Sequence, residues 1–344
     1  MRFFFRITVI WMSLIVPASV LAGPFSQAIV FGDSLTDTGN LFTYTGGIAP
    51  NSTYYYNGRF ENGPSYIEGL AANLGLSVQP SALGGTNYAV GGARSRYHVL
   101  DLDASGLPPA LGSTPTPFSL LGQVGSYQSD SGGVADPNAL YVLWSGANDL
   151  TDILYVGAAL GGGLANQYMA QSVGDFAVAL DSLVASGAQH LLIPNLPDIG
   201  LTPEVQATGL GALATAAAMQ YNDAVDAVLA GYAGLPGLDI IRFDTFSLVQ
   251  KIAADPGSFG FTNSTDPCLE NFFVTQPTGS PVTVCSNPDQ YLFWDSFHPS
   301  AAFHAVLAEA MTDAVPEPAT LALMALGLAG IGAVRRRGLA PKLT

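Results

Sequence analysis

Positive charge is scarce in this sequence. Its 344 residues carry 11 Lys and Arg against 26 Asp and Glu, a formal net charge of −15 at pH 7. The deficit is steeper in the body of the chain. Residues 23–314 hold only Arg59, Arg94, Arg96, Arg242 and Lys251 as bases, and every acid except Glu317, so the balance is 5 − 25 = −20. Such a surface repels phosphate, which excludes a nucleic-acid partner. It also disfavours electrostatic capture by anionic lipid. Cysteine is nearly missing, with only Cys268 and Cys285. No nearby Cys or His completes a zinc set, and neither cysteine has a nucleophile's motif around it. In an oxidising compartment the two are expected to pair as a disulfide, stapling their Pro-, Gly- and Asn-rich segment. No G-x-G-x-x-G follows a strand, which argues against a dinucleotide site. No metal or cofactor is expected.

The two ends are unlike the body. Residues 1–22 read as a signal peptide. Arg2 and Arg6 supply the positive start, Ile7 to Val16 the apolar stretch, and Val20-Leu21-Ala22 a small-residue cleavage site. At the other end Val315-Pro316-Glu317-Pro318 precedes the apolar run Ala319 to Val334, then Arg335-Arg336-Arg337. A helix over that run is about 24 Å long, a little short of the roughly 30 Å hydrocarbon core. Its basic flank stays cytoplasmic. Physically this is a stop-transfer anchor with the main domain outside. The same three parts resemble the PEP-CTERM sorting signal of Gram-negative bacteria. The resemblance implies processing of 315–337 by an exosortase, with a short cytoplasmic tail at 338–344. It also implies a location in the cell envelope, at the surface or outside the cell.

The body, 23–314, has the length of one large domain able to bury a substantial core. Strands are expected at Ala28–Phe31, Thr86–Val90, Leu140–Trp144, His190–Ile193 and Leu238–Ile241. Helices are expected at Ser65–Leu74, Leu120–Tyr127, Asn166–Ser186, Ala212–Ala230, Phe243–Ala254 and Ala302–Ala314. Tyr168, Val173, Phe176, Leu180 and Leu183 form a stripe on the third helix, and Gly187 ends it. Apolar, non-alternating strands separated by helices predict an α/β sandwich of three layers around a mainly parallel sheet. Sites in such sheets lie beyond the carboxyl ends of the strands.

Short motifs stand at those ends. Gly32-Asp33-Ser34-Leu35 follows the first strand. Asn87-Tyr88-Ala89-Val90-Gly91-Gly92-Ala93 runs through and past the second, and Ser145-Gly146-Ala147-Asn148-Asp149 follows the third. Asp295-Ser296-Phe297-His298-Pro299 precedes the last helix. A serine hydroxyl needs a base to become a nucleophile, and histidine is the usual base near neutral pH. A carboxylate on the other ring nitrogen fixes the tautomer. Ser34 can be the nucleophile, His298 the base and Asp295 its orienting acid. The N–H groups of Ser34 and of Gly91 or Gly92, with Gly92 preferred, and the amide of Asn148 can form an oxyanion hole. Asp33 reads as a turn residue, and Asp149 as a supporting or N-cap residue. His98 and His190 carry no motif. Tyr54-Tyr55-Tyr56 reads either as a pocket lining or as a loop packing its own aromatics. The segments Tyr97–Thr116 and Gly257–Asp289 are expected to shape the pocket mouth.

Together these blocks resemble the GDSL (SGNH) hydrolase family, in the family's order from Phe31 to Pro299. Pro194-Asn195-Leu196-Pro197-Asp198-Ile199-Gly200 is similar to a segment of its lipase-like branch. The resemblance implies a flavodoxin-like α/β/α fold and metal-free ester hydrolysis through a Ser acyl-enzyme. The G-x-S-x-G of the α/β-hydrolase elbow is absent. Small-molecule, lipid or acylated-sugar esters are the expected substrates, and a monomer is expected. Acyl transfer, or deacetylation of a polysaccharide, uses the same site. A surface or matrix binding protein without activity is the alternative of another class.

Overall fold

In the computed structural model the described residues are 25–278 and 281–316. The predicted signal peptide, the apolar run 319–334 and the tail 338–344 lie outside them. Among the described residues no helix is long and apolar enough to cross a membrane.

The sheet contains β1 (Ala28–Gly32), β2 (Leu140–Trp144), β3 (His190–Pro194) and β4 (Asp239–Phe243), bonded in that order and parallel throughout. The helices around it are α1 (Asn40–Tyr44), α2 (Tyr66–Asn73), α3 (Leu120–Asp130), α4 (Ala147–Leu160) and α5 (Gly162–Ser186). After these come α6 (Pro203–Ala207), α7 (Gly211–Ala230), α8 (Thr245–Ala254) and α9 (Ala301–Ala314). Strand side chains alternate between two apolar clusters. Ile29, Phe31, Tyr141, Leu143, Leu191 and Ile193 join the cluster beneath α3, α4, α5 and α7. Val30, Leu140, Val142, Trp144 and Leu192 join the one beneath α2, α8 and α9. Burial on both faces is why β1 and β2 read as continuous apolar runs instead of alternating ones. The chain is a three-layer α/β/α sandwich. On α5, Phe176, Leu180 and Leu183 of the predicted stripe are buried, with Tyr168 and Val173 packed at its edge. Gly187 caps that helix at φ 112°, a conformation only glycine adopts without strain.

Two expectations need correction. Thr86–Val90 is not a full strand. A single bridge pairs Asn87 with Val30, supported by Val30 N–H to Thr86 O, Tyr88 N–H to Val30 O and Val90 N–H to Gly32 O. The side chain of Asn87 is committed to loop bonds instead, its amide donating to Thr36 O and Thr38 Oγ1. Ala147–Leu160 is a helix, where the sequence gives only an N-cap expectation at Asp149. It starts on Gly146 with no side-chain cap, and Asp149 in its first turn is its one N-terminal signal.

The 86–90 strip has a topological consequence. After β1 the chain pairs on one side of that strand through 86–90, then returns to pair β2 on the other side. The order therefore reverses at β1, and the carboxyl end of β1 is a topological switch point, where loops diverge and leave a crevice.

Candidate active site

Ser34 sits at that switch point. Asp33 makes its turn: the carbonyl accepts from Thr36 N–H and Asp37 N–H, and Oδ1 accepts from Leu35 N–H at 3.1 Å. A side chain at Gly32 has no room, since its Cβ would lie 2.6 Å from Trp144 O. Burial pushes the Asp33 carboxyl up to about 6. The turn thus holds Asp33 inward by one oxygen and leaves the serine hydroxyl facing the crevice.

His298 Nε2 lies 3.0 Å from Ser34 Oγ, and His298 Nδ1 lies 2.8 Å from Asp295 Oδ2. A carboxylate only accepts, so Nδ1 carries the proton and Nε2 accepts from the serine. Asp295 and His298 belong to one tight turn. Asp295 Oδ1 accepts from Phe297 N–H at 2.8 Å and His298 N–H at 2.6 Å, and Trp294 N–H closes the turn on His298 O. Asp295 is fully buried. Phe60, Phe273 and Phe297 surround the imidazole, with Phe273 stacked on it at 5.7 Å.

The second and third motifs reach the same place. Gly92 adopts φ 81°, and its N–H has no hydrogen-bond partner among the described residues. Gly91 N–H differs, because it donates to Asp37 Oδ2 at 2.8 Å. Of the two glycines, only Gly92 has a free donor. Asn148 lies in the first turn of α4, one residue after Ala147, and its amide donates to Ala93 O at 3.1 Å, which leaves one amide proton for a ligand. Asp149 is not an N-cap residue. It accepts from Ser95 N–H at 3.1 and 3.0 Å and from Ser95 Oγ at 2.5 Å, tying α4 to the loop after Gly92. His98 braces that loop, with Nε2 2.7 Å from Gly91 O. His190 stands on β3, away from the site.

Ser34, Gly92, Asn148 and His298 line one open cleft of about 840 Å³. Ser34, Asn148, Phe297 and His298 also line a smaller, narrower pocket of about 50 Å³, walled by Leu35, Trp144, Ile199, Val249, Leu292 and Phe303. The predicted mouth segments differ. Within Gly257–Asp289, residues 266–278 build a wall of the cleft, whereas Tyr97–Thr116 contributes Val99 alone. The latter segment instead braces α5, through Tyr168 OH to Pro109 O and Gly112 N–H to Gln171 Oε1. Cys268 and Cys285 are disulfide-bonded at the base of the 266–278 wall. Among the described residues no cluster of three His, Cys, Asp or Glu is arranged to hold a metal ion.

Several supporting residues escaped the sequence reading. Asp37, fully buried, accepts from Gly39, Asn40 and Leu41 N–H as well as Gly91 N–H, and so locks the first motif to the second. Its signal was present, a carboxylate two residues before Gly39, which is a turn pattern. Tyr55 had no local signal. The tyrosine run divides: Tyr54 packs on Phe272, Tyr56 is exposed beneath Arg59, and Tyr55 points inward to Asp295. Neither reading of that run as one unit holds.

Thermolabile hemolysin of Vibrio parahaemolyticus is 26% identical over 305 residues, 86% of this chain but 65% of that protein. Phosphatidylcholine-sterol acyltransferase of Aeromonas hydrophila is 26% identical over 338 residues, covering 86% of this chain and 92% of that one. Among solved structures, the acetylxylan esterase Axe2 of Geobacillus stearothermophilus gives a TM-score of 0.43 at 13% identity, over 86% of this chain and 96% of that one. The PEP-CTERM protein-sorting motif matches residues 314–337. The profile of GDSL-like lipases and acylhydrolases matches residues 29–311, most of the chain, and the protein belongs to that family.

Proposed function

We propose that this protein is an exported serine hydrolase of carboxylic esters, with Ser34 as nucleophile, His298 as base and Asp295 as orienting acid. The observation that carries the reading is the continuous bond chain Asp295–His298–Ser34 at a switch point, opening on a cleft. Ser34 Oγ attacks the ester carbonyl while Nε2 takes its proton. The oxyanion is met by the N–H groups of Ser34 and Gly92 and the Nδ2 of Asn148. Collapse expels the alcohol, which receives the proton from Nε2, and leaves an acyl-Ser34. Water, activated by the same nitrogen, repeats the sequence and releases the acid.

The two cavities suggest how a substrate lies. The narrower, apolar pocket suits the acyl chain, and the open cleft suits the alcohol. One water needs roughly 10–15 Å³ of such space, so about 50 Å³ accepts around four heavy atoms. A short acyl group fits it and a long one must run into the cleft. Export rests on the PEP-CTERM match, with exosortase processing of the tail as its corollary. The cleft is wide enough for an acceptor alcohol, and one relative is by name an acyltransferase, so transfer is the second reading of the same site.

The test is hydrolysis of p-nitrophenyl acetate, butyrate and palmitate by the parent and by Ser34→Ala, with and without glycerol as acceptor. Turnover is expected in the parent, highest on butyrate, and absent in the variant. Equal turnover by the Ser34→Ala protein overturns the reading. Glyceryl ester among the products identifies transfer.

A further inference from the structure

Asp295 receives one side-chain bond from a distant part of the chain. Tyr55 OH lies 2.7 Å from Asp295 Oδ2, the same oxygen that His298 Nδ1 meets at 2.8 Å. Both side chains are buried, Tyr55 at 2% exposure and Asp295 at 0%. The direction of the bond is fixed. Val274 N–H points at the Tyr55 oxygen from 2.9 Å, and an amide can only donate. The single hydroxyl proton therefore goes to the carboxylate. The two remaining donors to Asp295, Phe297 N–H and His298 N–H, come from its own turn.

Val274 belongs to the wall of the cleft closed by the Cys268–Cys285 disulfide. It adopts φ 54°, rare for a β-branched residue and costing about 1–2 kcal/mol. In that conformation it grips the tyrosine loop from both sides. Its N–H bonds Tyr55 OH, and its carbonyl accepts from Asn51 N–H at 2.8 Å. Tyr55, Cys268, Leu269, Phe272 and Trp294 form one small apolar cluster, separate from the two clusters of the sandwich. Backbone bonds from Cys268 N–H to Phe293 O at 3.1 Å and from Leu269 N–H to Trp294 O at 2.6 Å tie the wall to the strand before Asp295, and the Tyr55 hydroxyl ties it to the Asp295 carboxylate itself.

We infer that Tyr55 is a positioning residue for Asp295 and that it couples the order of the 266–278 wall to turnover. The inference rests on the assignment of Asp295 and His298 proposed above. With the hydroxyl in place, Asp295 has a donor on each lone-pair direction, and its Oδ2 is held towards His298. Without it, the carboxylate can rotate about its side-chain bonds. Its charge is then shared with one donor fewer, and it stabilises the protonated imidazole more strongly.

Tyr55→Phe removes one oxygen and keeps the ring. On p-nitrophenyl butyrate its kcat is expected to fall about 10- to 100-fold with little change in KM, as for a lost bond to a charged group. The acid limb of its kcat/KM–pH profile is expected to move upward by roughly half a unit to one unit. A merely structural tyrosine lowers the melting temperature and moves neither quantity, and that result overturns the positioning role. The coupling is read from a cycle with C268S/C285S. Opening the disulfide should cost less turnover in Tyr55→Phe than in the parent, because the path through Val274 is already cut. The paths through Phe273 on His298 and through the backbone bonds of Cys268 and Leu269 to Phe293 and Trp294 are left in both. Equal losses in the two backgrounds overturn the coupling. If the cysteine variant does not fold, titrating the oxidised parent and Tyr55→Phe with dithiothreitol makes the same comparison. A parent that turns over equally well as Ser34→Ala overturns the catalytic assignment itself, a separate outcome.

Discussion

The two halves of the site are built differently. Ser34 and Asn148 hang from the carboxyl ends of β1 and β2, whose residues are all buried between two large apolar clusters, and Gly92 follows the 86–90 strip beside β1. Asp295 and His298 stand on an irregular turn beside short strand pairs such as Leu269–Glu270 with Thr283–Val284. That side is held by one disulfide, a five-residue apolar cluster, the Tyr55 bond and a few backbone bonds such as Leu269 N–H to Trp294 O, with Leu292 and Phe293 as its root in the sandwich. A sheet fixes its loop ends through hundreds of weak contacts, whereas the turn side depends on a few specific bonds. Damage to the sheet should therefore cost stability before turnover, and damage to the turn side should cost turnover along with stability.

The largest expected effects ignore the difference between the halves, because in the proposed mechanism one residue from each is indispensable to the same step. Ser34→Ala and His298→Ala should each lower kcat on p-nitrophenyl butyrate by about 10⁴- to 10⁶-fold while circular dichroism stays parental. A smaller loss from either one alone separates the halves and breaks the shared mechanism. Next comes Asn148→Ala, which removes one donor of the proposed oxyanion hole from the sheet side and should cost about 10²- to 10³-fold in kcat. Its effect on KM should be minor, since the donor meets charge that develops only in the transition state.

The comparison is sharpest in a pair of stability variants. Leu143→Ala empties a fully buried site on β2 and should cost about 2–5 kcal/mol in urea unfolding, with kcat retained in the folded protein. C268S/C285S opens a loop of 17 residues and should cost about 3 kcal/mol, together with a loss of kcat. If both variants lose stability alone, the turn side is no more fragile in function than the sheet.

The smallest effect concerns His304, on α9. Burial drives it down to about 3 from an ordinary 6.5. Its Nδ1 accepts from Tyr66 N–H at 2.9 Å and its Nε2 lies 3.9 Å from the equally buried Glu61. A depressed base favours the folded state in full above about pH 6.5, and that contribution is lost as pH falls towards and through 3. Glu61 is pushed well up by burial and acts oppositely, its contribution fading as pH rises. His304→Gln isolates the histidine. Its stability deficit against the parent should shrink by roughly 2–3 kcal/mol between pH 8 and pH 4.5. A pH-independent deficit means that the fold leaves His304 titrating as it does in the unfolded chain, and a deficit that grows as pH falls means that it is charged in the fold.

The sheet half of the fold was legible. β2 occupies the segment expected of it, and β1, β3, α7 and α9 differ from expectation by a residue at an end. Burial on both faces leaves an apolar run that the sequence cannot hide. Beyond Asp149 the helix α4 was not legible, because Gly146 gives it no capping side chain and its first turn doubles as the third motif. The irregular half resisted for a different reason. Short strand pairs around a disulfide carry no period to read, and the division of the three tyrosines depends on where a loop meets a wall more than two hundred residues later in the chain.

By itself the sequence determined the family, the layered α/β architecture and the few residue types able to carry acyl chemistry, because motif order and apolar runs are local properties. The tertiary structure decided which glycine keeps a free N–H, since Asp37 takes the other one. It decided that the order of strands reverses at β1, since 86–90 pairs on the side away from β2. It also decided that Tyr55 serves Asp295, since that bond exists only once the 266–278 wall has folded over the cleft. Each of these is a choice among equivalent groups, settled by which neighbours the packed chain brings within hydrogen-bond distance.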